Sequence, residues 1–100
     1  MVIQSAAFQE AVGAAVRECY DLGYRPTYFQ QMLSELDAVG AAQKLLTTST
    51  VSDGFTRLWE MKRLDLTVEA IALRPEFGEL FTRSELRTAK DRLADYGYSA

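Results

Sequence analysis

Histidine is absent from the sequence, and cysteine occurs once, at Cys19. The first absence removes most hydrolytic triads, the commonest transition-metal ligand and the usual general base near neutral pH. The second removes an internal disulfide and any cysteine cluster for zinc. No apolar run reaches the length of a membrane span. The opening MVIQSAAFQE lacks the basic start and long apolar stretch of a signal peptide. A cytoplasmic location and no membrane partner are therefore expected. There is no internal repeat, no glycine-rich phosphate loop, no zinc spacing and no helix-turn-helix charge signature. Serine and threonine are plentiful, but without histidine nothing marks one of them as a nucleophile. A net charge of −3 argues against strong non-specific nucleic-acid binding, although a local basic face is compatible with it.

What is present fits a small all-α fold. One hundred residues, 48% of them apolar, make one domain able to bury a core without staples. The densest mix of large apolar and charged residues is Gly54 to Leu73, GFTRLWEMKRLDLTVEAIAL, which holds the only tryptophan. Phe55, Leu58, Trp59 and Lys62 fall at i, i+3, i+4 and i+7, one stripe of a helix, with Asp53 as its N-cap. The alternation of Leu64, Leu66 and Val68 suggests a strand. No second run exists to pair with it, so a short helix is expected, capped by Asp65, with Glu69 near its N-terminal dipole. About six short helices are expected to pack round Trp59, Phe55, Leu58, Phe77, Phe81 and Leu86, with Trp59 buried at the centre.

The rest of the chain reads as helices between breaks. Ser5 is the expected N-cap of a first helix whose stripe is Phe8, Ala11, Val12, Ala15, Val16 and Cys19, stopped by Gly23. Cys19 lies on that stripe beside Glu18 with no cationic activator adjacent, so a buried inert thiol is expected rather than a redox one. Arg25-Pro26-Thr27 is a turn. A second helix runs from Thr27 to Leu36, with Phe29, Met32, Leu33 and Leu36 inward. Tyr20, Tyr24 and Tyr28 are four apart, but Gly23 and Pro26 interrupt any shared stripe, so packing at a helix corner is expected rather than a stacking platform for bases. Asp37 caps a third helix to about Leu46, with Val39, Ala42, Leu45 and Leu46 inward. Thr47 to Asp53 is polar and loop-like, a connection or a recognition loop. Pro75 opens a helical turn carrying Phe77, Leu80 and Phe81. Thr82-Arg83-Ser84-Glu85 is a capping box for a last helix, with Leu86, Ala89, Leu93 and Tyr96 on one face and Gly97 at its end.

Two charge constellations are candidates for chemistry. Glu60, Asp65 and Glu69 are the tight acidic set near the aromatic centre, and paired carboxylates can hold a hard metal ion or do acid–base work. The competing assignment uses all three structurally, as a partner for Arg57 or Arg63, a helix cap and a dipole partner. It is preferred, so no catalytic residue, metal or cofactor is expected. Arg83, Arg87 and Lys90 fall at i, i+4 and i+7, which makes one face of the last helix basic. They are the candidate partner-binding residues, for an acidic protein or a phosphate backbone. A solvated face bridged to Glu79, Asp91 and Asp95 is the competing reading.

The order YRPTYFQQML, AAQKLL, DGFTRLWE, RLDLTVEAIAL and LFTRSEL, spanning about Tyr24 to Leu93, resembles a small bacterial and phage family. Its members are stand-alone short proteins or terminal pieces of longer ones, mostly of unassigned function. At Met61-Lys62 the sequence departs from the small residues or glycine that the family favours. A phage-borne member of this kind is similar in size and acidity to type I anti-CRISPR proteins, small non-enzymatic inhibitors that bind Cas subunits. The resemblance implies a protein partner, with Cas subunits among the candidates. A nucleic-acid-binding or adaptor module using the basic face is the alternative.

Overall fold

The computed structural model describes residues 2–98, with side chains from residue 4 onward. Among these residues there are six α-helices, two 3-10 turns and no strand. The helices are α1 (Val2–Asp21), α2 (Thr27–Glu35), α3 (Ala38–Leu46), α4 (Asp53–Glu60), α5 (Val68–Ala72) and α6 (Arg83–Asp95). The 3-10 turns, Leu64–Leu66 and Pro75–Leu80, flank α5. The all-α expectation holds, although α1, at 20 residues, is not short.

Three helices end in the same way. Gly23 takes φ +84°, and the N–H groups of Gly23 and Tyr24 donate to the carbonyls of Tyr20 and Cys19. Gly97 takes φ +80°, with Gly97 and Tyr98 donating to Ala94 and Leu93. This is the Schellman pattern, which satisfies carbonyls left over at a helix end. α4 closes identically through Lys62 and Arg63, which donate to Trp59 and Leu58. There the left-handed position, φ 61°, holds a lysine.

Several expected helix starts are corrected. α1 begins at Val2, so Ser5 lies inside it, because neither glycine nor proline breaks the chain upstream. Ser52, not Asp53, caps α4, its hydroxyl accepting the Phe55 N–H at 3.1 Å. Asp53 is then the first helical residue, where its charge meets the positive helix end. Thr67, not Asp65, caps α5 by accepting the Ala70 N–H at 3.2 Å. Asp65 sits a turn earlier in Leu64–Leu66. Asp37 caps α3, accepting Gly40 N–H at 2.7 Å, and the Thr82/Glu85 capping box of α6 is complete.

The core forms round α5, which packs against α1, α3 and α6. Its five residues include Val68, Ile71 and Ala72, all buried. Alanines make such a short helix fit. Ala38, Ala41 and Ala42 on α3 and Ala89 on α6 are buried, and small contact residues let helix axes approach closely. Phe8 on α1 is fully buried, edge-on to Phe77 at 5.2 Å and to Phe81 at 5.2 Å. Of the expected inward residues, Met32, Ala42 and Leu46 are buried, whereas Phe29, Leu33, Val39, Leu45 and Leu86 are half-buried. Leu36 is exposed, because α2 stops at Glu35 and Leu36 turns to extended backbone.

Trp59 overturns the expectation of a buried centre. It is 45% exposed. Phe55 and Leu58 take the inward positions of α4, and Trp59 falls beside them at the rim. Lys62, the fourth member of that stripe, is also exposed.

Candidate functional site

The acidic set does not assemble. Asp65 is held by Arg63 through Nε–Oδ1 at 3.0 Å and Nη2–Oδ2 at 3.1 Å, and the same guanidinium reaches Glu18 on α1. That fork keeps the Asp65 carboxyl below its ordinary value. Glu69 is 2% exposed and pairs with Arg92 at 3.1 Å. Glu60 is exposed at the end of α4. Among the described residues no three acidic, histidine or cysteine side chains are grouped to hold a metal ion.

The Glu69–Arg92 pair is the feature sequence reasoning missed. Arg92 is 8% exposed. Its Nη1 donates to Glu69 and to the Leu45 carbonyl at 2.9 Å, and its Nη2 donates to the Thr48 carbonyl and hydroxyl. One guanidinium thus ties α6 to α5, to the last turn of α3 and to the loop after it. The carbonyls at a helix C-terminus favour a cation. Burial pushes the Glu69 carboxyl above its ordinary value, opposed by its own backbone N–H and by Arg92. The signal was present as an arginine four residues before Tyr96, on the inward side of α6. Arginine in a last helical turn usually reads as solvated.

Arg83, Arg87 and Lys90 are all exposed on α6. The ion pairs among the described residues join Arg63 to Glu18, Arg63 to Asp65, and Arg92 to Glu69, so none of the three basic-face residues is paired. The bridges to Glu79, Asp91 and Asp95 that would make this a neutralised face are not formed.

A second surface lies round Trp59. Its ring meets Tyr96 edge-on at 5.2 Å, and Tyr96 in turn meets Phe55 at 5.0 Å. Trp59, Lys62, Leu64, Tyr96 and Tyr98 border a shallow hollow. Tyr96, the residue that follows α6, stands roughly 120–180° round the helix axis from the basic stripe, so the two surfaces face different ways.

Between α1 and α2 on one side and the 47–53 loop and α4 on the other is a cleft of about 320 Å³, floored by α5. Cys19 lines it, buried, and burial with Glu18 nearby raises the thiol above its ordinary value. That agrees with an inert thiol. Tyr24 lines the mouth, with the Arg57 guanidinium 5.8 Å from its ring centre. Tyr20 and Tyr28 are exposed and form no continuous stripe with it. Tyr20 donates to Gln30 on α2, as packing at a helix corner predicts.

Among the described residues no helix is long and apolar enough to cross a membrane. No family model, curated protein or solved structure matches this chain.

Proposed function

We propose that the chain is a non-enzymatic protein-binding module that uses Trp59 as its anchor. The observation that carries the reading is the position of the sole tryptophan. It stands half out of the core, edge-on to Tyr96, and so offers a large apolar ring at the surface. Tryptophan and arginine dominate binding hot spots, and a ring already braced loses little entropy on binding. Lys62 supports the reading. A lysine in the left-handed region stores strain, and such strain gathers at functional sites. The engagement of Asp65 and Glu69 by arginines leaves the acidic set without an open carboxylate pair for chemistry.

On the resemblance of DGFTRLWE and RLDLTVEA, a Cas subunit of a CRISPR surveillance complex is the first partner to try. The test is capture of purified Cas complexes on the immobilised protein, with interference measured in cells expressing it. Capture and blocked interference are the expected results. Neither effect would remove the inhibitor form of the reading.

The unpaired stripe Arg83, Arg87 and Lys90 favours a second reading, a module that follows a phosphate backbone. Three phosphate contacts would give a salt slope of about −2.7 in log K against log salt. Weak binding with a flat slope would exclude it.

A further inference from the structure

We propose that the cleft floored by α5 is a binding site for a small neutral molecule with an apolar body and one polar oxygen, such as an aliphatic alcohol or ketone. The proposal is separate from protein binding at Trp59. The cleft volume, about 320 Å³, is at the lower end of the range for small-molecule sites, roughly 300–1,000 Å³.

Its walls decide what it can hold. Val12 and Val16 on α1, Phe55 and Leu58 on α4, and Val68 and Ile71 on α5 line it with hydrocarbon. The polar groups in the floor are already engaged. Glu69 is neutralised by Arg92, and the Thr67 hydroxyl donates to the Leu64 carbonyl while accepting the Ala70 N–H. Among the described residues no buried side-chain nitrogen or oxygen lacks a partner. A charged group in the floor of the cleft would lose its water and meet no free counter-charge there, which costs more than an apolar contact returns. An apolar body has no such penalty, and dry apolar cavities in proteins take up neutral molecules.

The mouth supplies a polar group. The Tyr24 hydroxyl makes no hydrogen bond among the described residues, and it lies close to the start of α4, 3.2 Å from where a Gly54 Cβ would stand. Glycine there leaves the hydroxyl room. A single neutral oxygen on the ligand would meet it. Asp53 and Arg57 bring opposite charges to the mouth, so neither an anionic nor a cationic head is singled out there.

The site is pre-formed. Thr48, Thr50 and Val51 make one wall, and Arg92 holds the start of that wall through the Thr48 carbonyl and hydroxyl. The loop is therefore tied to α5 and α6 and does not fall into the cleft.

The test uses the whole chain with 1-octanol as probe, followed by calorimetry, by melting temperature and by methyl NMR shifts of Val12, Val16 and Ile71. Saturable one-to-one binding, a rising melting temperature and shifts confined to the cleft are expected. Val16→Phe and Val51→Phe fill the cleft from half-buried positions, so each should weaken binding about tenfold or more. Tyr24→Phe, which keeps the ring, should weaken it several-fold. If the filled variants fail to fold, the NMR shifts of the wild type and the Tyr24→Phe comparison still decide the matter. No saturation up to the solubility limit, or equal affinity in all variants, overturns the proposal, as does a melting temperature that falls with octanol. A dimer that Val16→Phe dissociates would instead assign the cleft to a second copy. Loss of protein-partner capture in Val16→Phe without octanol uptake would assign it to a partner's side chain. Either of these also overturns the proposal.

Discussion

Two aromatic trios in this fold share their chemistry and differ in their end. Phe8, Phe77 and Phe81 meet edge-on, and all three are buried. Phe55, Tyr96 and Trp59 also meet edge-on, but the series runs from a buried ring through a half-buried one to an exposed one. The first trio is closed off by α1 and the Pro75–Leu80 turn. The second is covered from α4 and the end of α6, and its last ring stays half exposed. The same edge-to-face geometry therefore lies inside the core in one place and reaches the surface in the other, which is the difference the proposed anchor rests on.

The sharpest test of this difference is truncation of the closed trio. Phe8→Ala removes a fully buried ring and leaves a cavity among Phe77, Phe81 and α5. A loss of about 3–5 kcal/mol is expected by chemical denaturation. Loss below about 1 kcal/mol would show that the first trio is no more a core than the second.

The tie between α6 and α3 comes next. Arg92→Ala strands the buried Glu69 carboxylate and frees the Thr48 carbonyl, which should cost about 3 kcal/mol or more. The pH dependence of Glu69 follows from the raised carboxyl. A carboxyl raised on folding favours the folded state most below its unfolded value of 4.5, and that advantage fades as pH rises through the raised value. Wild type minus Glu69→Gln stability should therefore fall as pH increases from about 4.5 toward neutrality. A difference that is flat or rises over that range would mean that Arg92, and not burial, controls the group.

The contrast also explains what the sequence could reveal. The Thr82/Glu85 box, the Asp37 cap and the glycine stops at Gly23 and Gly97 lie within a few residues of what they satisfy, so local reading finds them. The caps at Ser52 and Thr67 were missed by one or two positions, because an aspartate competes nearby and only the backbone path decides. Trp59 belonged to a correct helical stripe, yet its exposure depends on how α4 sits beside α6. Arg92 and Glu69 are separated by 23 residues, and Arg92 and Thr48 by 44. No periodicity marks such a pair. The basic stripe was legible because it needs only one helix, whereas the cleft needs α1, α2, α4 and α5 together.

Lys62 offers a smaller effect of opposite sign. It occupies the left-handed position at the end of α4, where glycine has no Cβ penalty. Lys62→Gly should stabilise the fold by about 1 kcal/mol. Under the binding reading it should also weaken partner capture, because Lys62 borders the hollow beside Trp59. A stabilised variant with full capture would make the lysine incidental.

The smallest stability effects are expected on the two exposed surfaces, and there the comparison becomes functional. Trp59→Ala loses the buried part of the ring together with the contact with Tyr96, about 1–2 kcal/mol, and not the 3–5 kcal/mol of a fully buried tryptophan. Arg83→Glu with Arg87→Glu should change stability by within about 0.5 kcal/mol, since neither arginine is paired. Alanines at Ser49 and Thr50 serve as the control. Thr48 is left intact, because its hydroxyl meets Arg92 and the Leu45 carbonyl. Capture of the partner by these matched variants then ranks the surfaces. Trp59→Ala should weaken capture by about 2 kcal/mol or more if the open aromatic trio is the anchor. The double reversal should act mainly through the association rate and its salt dependence, and by more than the loop alanines do. Should the reversal abolish capture while Trp59→Ala leaves it whole, the partner sits on α6, and the open trio is a core that was never finished.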